Sequence, residues 1–333
     1  MFRLGLNTYS LRALRWHDLP LLEYAASLKL DGVFLQDSLD PRTNDPAHWK
    51  EVKDAAAGLG LHLETGGGAV LPATADAFDR SVKLLRDGLK RAAGMGSPLM
   101  RILLASDRDH LPPGPVEQHI ETMVRLLKTV RSEALDANIK FAIENHKDLT
   151  CWETRQVIDL AGTDFVASYL DTGNPVFMME DPMQTVETLG PVAVMLHLRD
   201  SVVYEARKGI AVQWVPLGEG VVDFKAIVAK AKELCPQVPV YNKPITGRPP
   251  AILPVYDPAF MQKYRDIRAH DWARFLALAR QGHPYEAHMV IEDVPGKAPD
   301  VFTAALTYQQ KEHMERGIEY AKKVLDLGVK WRT

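Results

Sequence analysis

The chain has 333 residues, 46% of them hydrophobic and 25% charged, the balance of an ordinary folded protein and not of a disordered one. Forty Lys and Arg against 43 Asp and Glu leave a formal charge of −3, without the basic footprint of a nucleic-acid binder. No apolar run reaches the roughly 18 residues that cross a membrane, and two cysteines, Cys151 and Cys235, allow neither a disulfide framework nor a CxxC zinc site. The N-terminus lacks the apolar stretch of a secretory signal, and a reducing, cytoplasmic compartment is the expectation.

Short apolar runs of strand length recur at 2–6, 32–35, 61–64, 99–104, 140–144, 166–171, 192–198 and 238–241, with charges mainly at their ends. Between them lie amphipathic helical patterns at 19–28, 49–59, 78–93, 116–135, 153–160, 183–189 and 224–234. In one of these, Val82, Leu85 and Leu89 form a single stripe. Strands that alternate with helices pair in parallel, because parallel strands need a crossover. Eight such units predict a (β/α)8 TIM barrel. A doubly wound sheet is the alternative, but no GxGxxG follows the first run.

Two segments depart from the repeat. After strand seven, 202–216 alternates apolar and polar residues around Arg207, Lys208 and Gly209, which predicts a hairpin. After strand eight, 244–302 opens on a turn-rich ThrGlyArgProPro, continues into a helix at about 257–280, and holds an apolar run at 288–291 ending in Glu292 and Asp293. A last helix runs from about 302 to 327 and stops at Gly328. No repeat or linker marks a second domain. Residues 1–333 therefore read as one barrel with an insertion at about 244–302, and both extra segments are expected at the C-terminal face, where βα loops can grow without disturbing the core.

Barrels carry their chemistry at the C-terminal ends of the strands. Strand one ends in Asn7, strand three in Glu64, strand five in Glu144, strand six in Asp171, and strand seven in His197 followed by Arg199. Glu144, Asp171 and His197 are separated by 27 and 26 residues, one βα unit each. Adjacent strands lie about 4.8 Å apart, so the three side chains should converge. Two carboxylates and an imidazole suit a divalent ion, whether Mn²⁺, Co²⁺, Zn²⁺ or Mg²⁺; the plain alternative is that each caps a helix or solvates a loop. Arg199 suits a sugar hydroxyl or a salt bridge. Trp152, like Trp16 and Trp214, suits stacking on a sugar or aglycone ring or simple packing. Arg101, inside strand four, should point into the mouth or pair with a buried carboxylate, since an unpaired buried charge is costly.

PheAlaIleGluAsn (141–145), TyrLeuAspThrGlyAsnPro (169–175), LeuHisLeuArgAsp (196–200) and ProLeuGlyGluGlyValValAspPhe (216–224) follow one another in order. In these motifs the chain resembles the xylose-isomerase-like TIM barrel superfamily of the sugar phosphate isomerase/epimerase type, over 1–243 and the final helix. The resemblance implies that Glu144, Asp171 and His197 bind one divalent metal, with Mn²⁺ the expected ion. The family's fourth ligand is a Glu at the end of strand eight. This chain reads ValProValTyrAsnLysPro there (238–244), with Asn242 or Lys243 in its place. That departure removes one carboxylate of the isomerase proton shuttle. Glu292 is the candidate substitute ligand, and a three-residue site completed by water and substrate is the alternative.

GluAsnHisLysAsp (144–148), IleThrGlyArgProPro (245–250) and PheLeuAlaLeuAlaArgGlnGly (275–282) narrow the resemblance to the large subunits of bacterial C-glycoside deglycosidases, which act on 3-keto-sugars. In that resemblance His146 matches the base; Glu144 and Lys243 are expected to act with it, and Asn7, Glu64, Arg199 and Trp152 are the candidates at the substrate. A proton next to a bound ketone is acidic enough for an imidazole with a pKa near 6.5 to remove. The enolate can then expel a group on the next carbon, which favours a lyase over an isomerase or epimerase. A hydrogen-bonding role beside the metal is the plain reading of His146. The expected partners are a sugar or glycoside, a small beta subunit, and further copies in a homo- or hetero-oligomer, with neither nucleic acid nor membrane. Two other readings compete. A non-catalytic sugar-binding subunit is suggested by Lys243. An endonuclease-IV-like phosphodiesterase would need more ligands and a basic face.

Overall fold

A computed structural model describes residues 2–37, 39–286, 291–294 and 299–333. Its strands are β1 (Leu4–Asn7), β2 (Gly32–Gln36), β3 (His62–Ala69), β4 (Leu99–Leu103), β5 (Lys140–Glu144), β6 (Val166–Asp171), β7 (Ala193–Leu198), β8 (Asp200–Ala206), β9 (Gly209–Val215), β10 (Val240–Asn242) and β11 (Ala251–Leu253). Eight of them close into a parallel barrel in the order β1-β10-β7-β6-β5-β4-β3-β2, with helices between successive strands. This is the (β/α)8 fold that the alternation predicts.

Register decides which side chains face inward. Asn7 lies opposite Phe34, Phe34 opposite Glu64, Glu144 opposite Tyr169, Asp171 opposite His197, and His197 opposite Tyr241. Side chains alternate along each strand, so these residues share the barrel interior. Phe34, Leu99, Ala142, Tyr169, Met195 and Tyr241 pack there as a core separate from the shell between sheet and helices. Large rings fit because small residues face them. A Cβ added at Gly5 would lie 2.4 Å from Tyr241 Cε1 and 2.5 Å from the Gly32 carbonyl oxygen. Gly5→Ala is therefore expected to destabilise by about 1–3 kcal/mol through overpacking, read by urea denaturation; an unchanged midpoint would mean that the Tyr241 ring is free to move.

The segment after β7 forms the predicted hairpin, β8 with β9, and β11 adds to β9 to complete a three-stranded sheet outside the barrel. Val203, Ile210, Val212 and Leu253 of this sheet pack on Tyr264 and Phe275 of the 244–302 segment. The Asp200 carboxylate, at the start of β8, accepts from the backbone N–H of Gly218, Gly220 and Val222, which gives the ProLeuGlyGluGly motif a physical role. Both extra segments leave the barrel from C-terminal strand ends.

Several boundaries differ from the expectation. The helix at 116–135 is two, Val116–Thr129 and Arg131–Asp136, broken where Val130 takes φ −113 and ψ 17. The helix at 257–280 is likewise Pro258–Met261 and Ala269–Gln281. Residues 288–290 of the last apolar run lie outside the described residues. Cys151 and Cys235 are free and buried, and no helix among the described residues is long and apolar enough to cross a membrane.

Candidate active site

Glu144, Asp171 and His197 converge as predicted. All three are buried, and one ligand-type atom from each lies within 4.8 Å of the others. Their positions are fixed at successive strand ends by local hydrogen bonds. The Asn145 amide bridges β5 to β6, donating to the Asp171 carbonyl and accepting from its N–H at 2.9 and 2.8 Å. Asp171 Oδ1 accepts from the N–H of Gly173 and Asn174. Asn174 donates to Glu144 Oε1 at 3.2 Å and accepts from Arg199 Nη1 at 2.9 Å.

Three cations enclose the two carboxylates. Arg101 grips Glu144 Oε2 through Nε at 2.6 Å and through Nη2. Arg199 Nη2 lies 3.0 Å from Asp171 Oδ2. Lys243 Nζ lies 2.7 Å from Glu144 Oε1 and 3.6 Å from Asp171 Oδ2. Burial alone would raise both acids, but Arg101 and Lys243 hold Glu144 well below the usual carboxylate range, and Arg199 and Lys243 lower Asp171. Burial and then Arg199 pull Lys243 down to about 8, which leaves it an ammonium at neutral pH. The site thus sets three positive charges against two negative ones.

His197 is oriented from below. Asn7 Oδ1 accepts from the Tyr9 N–H at 2.9 Å, so the Asn7 Nδ2 group, 3.1 Å from His197 Nε2, donates. Nε2 therefore accepts from Asn7, with the Tyr169 hydroxyl oxygen 2.5 Å away, and Nδ1 faces Asp171 Oδ2 at 3.5 Å, both without a hydrogen-bond partner. Asn7 thereby acts on His197 and is itself fully buried. Tyr169 and Asn174 were not singled out in the sequence, although the TyrLeuAspThrGlyAsnPro motif contains both.

His146 stands just beyond Glu144 and is half-buried. Its Nδ1 lies 2.6 Å from the Ser106 carbonyl oxygen. A carbonyl only accepts, so Nδ1 carries the proton and Nε2 keeps its lone pair. Burial lowers this imidazole to about 3, with Glu144 opposing and Arg101, Lys243 and Arg199 pulling the same way as burial.

Glu64 lies in the barrel interior, 2% exposed, with Oε2 unpartnered and 3.8 Å from His62 Nε2. Burial raises its carboxyl to about 8 against a weaker pull from Arg3. The native state keeps a proton that the unfolded chain releases near 4.5. Stability from this group is thus lost as pH rises from there towards 8. Glu64→Gln is expected to stabilise by roughly 2–4 kcal/mol at pH 8 and to change little at pH 4, in paired thermal melts. Equal shifts at both pH values would contradict this.

Two expected residues are not brought to the cluster. Glu292 is exposed and stands outside the Glu144, Asp171 and His197 group, while its neighbour Asp293 pairs with Arg12. Trp152 lines a separate cavity of about 1190 Å³ between helices Val116–Thr129 and Cys151–Ala161 and the 262–271 segment. There Arg268 stacks on its ring at 3.7 Å and Asp271 accepts from its Nε1. None of Glu144, His146, Asp171, His197 or Lys243 lines that cavity. A second buried group, Asp18, Asp40 and His48, is knit by its own bonds: His48 Nε2 lies 3.1 Å from Asp18 and 3.4 Å from Asp40.

By spacing, Glu144, Asp171 and His197 can hold a metal ion. By charge and lone pairs they do not fit one as they stand. Both Glu144 oxygens are taken by Arg101, Lys243 and Asn174. His197 Nδ1 and Asp171 Oδ2 face each other at 3.5 Å, both buried and without a hydrogen-bond partner. Lys243 already bridges the two carboxylates where an ion would sit. The three residues form a cluster of metal-holding composition, and the expectation of Mn²⁺ in it passes to the proposals below.

The family description "Xylose isomerase-like TIM barrel" matches residues 22–235. A curated relative, the uncharacterized protein YihM of Escherichia coli (strain K12), is 23% identical over 166 residues, 48% of this chain and 48% of that protein; the match spans about half of either. A solved D-psicose 3-epimerase is 17% identical with a TM-score of 0.63, covering 97% of this chain and 99% of that one. The 3-keto-D-glucoside 4-epimerase YcjR of E. coli is 14% identical with a TM-score of 0.58, covering 80% and 98%. At these identities the two structures show a shared fold.

Proposed function

We propose, from the premise that this chain belongs to the xylose isomerase-like TIM barrel family, that it removes a proton next to the carbonyl of a sugar or keto-sugar. The observation that carries this is His146: a neutral imidazole whose Nδ1 is committed to the Ser106 carbonyl and whose Nε2 is a free base, beside a net-positive cluster of Arg101, Arg199 and Lys243. In this reading Nε2 accepts the α-proton, and the electron pair of the C–H bond becomes the enolate. The fixed cations stabilise the negative charge developing on the former carbonyl oxygen. Lys243 is the cation best placed to donate to that oxygen, because its other partners are both carboxylates.

Elimination of the C-glycoside deglycosidase kind follows if the enolate re-forms the ketone, a C=C bond forms to the next carbon, and the substituent there leaves with its bonding pair and takes up the proton held on His146. This needs one base, and one base is what the site offers, since the strand-eight carboxylate is replaced by Lys243. Isomerisation or epimerisation is the second reading, supported by the psicose and 3-keto-glucoside epimerases that share the fold, with the Lys243 ammonium returning the proton. Incubation with free ketoses and 3-keto-glycosides, with products resolved by chromatography, separates the two. Release of the aglycone with an unsaturated sugar supports elimination; an epimer or isomer supports the second reading; no conversion of any member of the panel counts against both.

A further inference from the structure

We infer that the Lys243 ammonium is the resident cation of this site and stands in the place of a divalent ion, so that the chain works without bound metal. This goes beyond the proposed reaction and does not depend on which sugar is converted. Four observations converge. Nζ bridges both carboxylates, at 2.7 Å to Glu144 and 3.6 Å to Asp171. The residue is anchored there, 4% exposed, its N–H donating to the Leu198 carbonyl at 3.0 Å from the end of β10. Both Glu144 oxygens are already engaged, by Arg101, by Asn174 and by Lys243 itself, and Asp171 Oδ2 and His197 Nδ1 face the cluster without a hydrogen-bond partner. Finally, Lys243 lies at the end of the eighth barrel strand, where a Glu would add the negative charge that helps to hold an ion.

The electrostatics decide between the two occupants. With Arg101 and Arg199 in contact with the same carboxylates, the site already carries excess positive charge. Adding a dication beside a fixed ammonium would bury a further unpaired double charge, which is strongly unfavourable. Replacing that ammonium by a carboxylate reverses the balance and restores a ligand set of three acids and an imidazole, the composition that suits a hard or borderline divalent ion.

The test is metal content and metal binding of the whole chain, purified without chelator. Elemental analysis is expected to find far less than one equivalent of Mn, Co, Zn or Mg. Titration calorimetry with each ion should give no stoichiometric binding, and EDTA should leave the melting temperature unchanged. Lys243→Glu is expected to gain binding of about one Mn²⁺ per chain. If that variant does not fold, Lys243→Ala serves instead, with Mn²⁺ affinity at least roughly 10-fold above wild type; unchanged affinity overturns the inference. Wild-type protein holding about one ion per chain, lost on Glu144→Gln, also overturns it. A metal-loaded wild type that still converts a keto-sugar would sink this inference and leave the reaction standing. A metal-free protein that converts none would do the reverse.

Discussion

Replacing His146 by Asn is expected to lower turnover by roughly 10²–10⁴-fold, the range for loss of a general base, with little change in melting temperature. Asn is the informative choice because its Nδ2 can still donate to the Ser106 carbonyl as the ring Nδ1 does, while nothing replaces Nε2. A merely structural His146 would be rescued by this substitution; a base would not. The pH profile gives a second readout. His146 is held down to about 3 by burial and by Arg101, Lys243 and Arg199 against the pull of Glu144, so the base stays unprotonated from about pH 5 upward. The usual acid limb near 6.5 should therefore be missing. Lys243, lowered to about 8 by burial and Arg199, loses its ammonium above that pH, and activity should fall there. Full activity in His146→Asn, or an acid limb between pH 6 and 7, would place the base elsewhere.

Glu144→Ala is the substitution with the largest expected effect on stability. It leaves Arg101 and Lys243 buried without their main counter-charge. Breaking a buried ion pair by removing one partner typically costs about 3–5 kcal/mol, a drop of roughly 4–7 °C in melting temperature for a chain of this size. Lys243→Met alone is expected to be milder, because Glu144 keeps Arg101, and adding it to Glu144→Ala should recover part of the loss. A drop under about 2 °C, measured by calorimetry, would mean that water reaches these charges and screens them.

The barrel was legible in the sequence because each strand is buried on both faces and reads as an apolar run, as in β5 and β6, whose residues are buried almost throughout. The convergence of Glu144, Asp171 and His197 was legible for the same reason: one βα unit of spacing fixes which strand end each residue occupies. What the spacing could not show is the electrostatic setting. Arg101, expected to point into the mouth or to pair with a buried carboxylate, takes Glu144 from the neighbouring strand β4, but Lys243 lies 99 residues from Glu144, so that pairing arises only when the barrel closes. The tautomer of His197 depends on Asn7, 190 residues distant, and on a capping bond to Tyr9. Trp152 was misplaced because a residue opening a helix after a strand end can face outward, and here the inserted segment supplies its partners, Arg268 and Asp271. The broken helix at Val130 carried no Gly or Pro to announce it.

Removal of a proton next to a carbonyl is read by solvent deuterium exchange. Wild-type protein is incubated in D₂O with a 3-keto-glucoside and with free ketoses, and the signal of the hydrogen on the carbon next to the carbonyl is followed by proton NMR. Loss of that signal far above the uncatalysed rate is expected with wild type in the presence of EDTA, and its retention with His146→Asn. Retention of the signal by wild type across the whole panel, under conditions where the protein is folded, would contradict it.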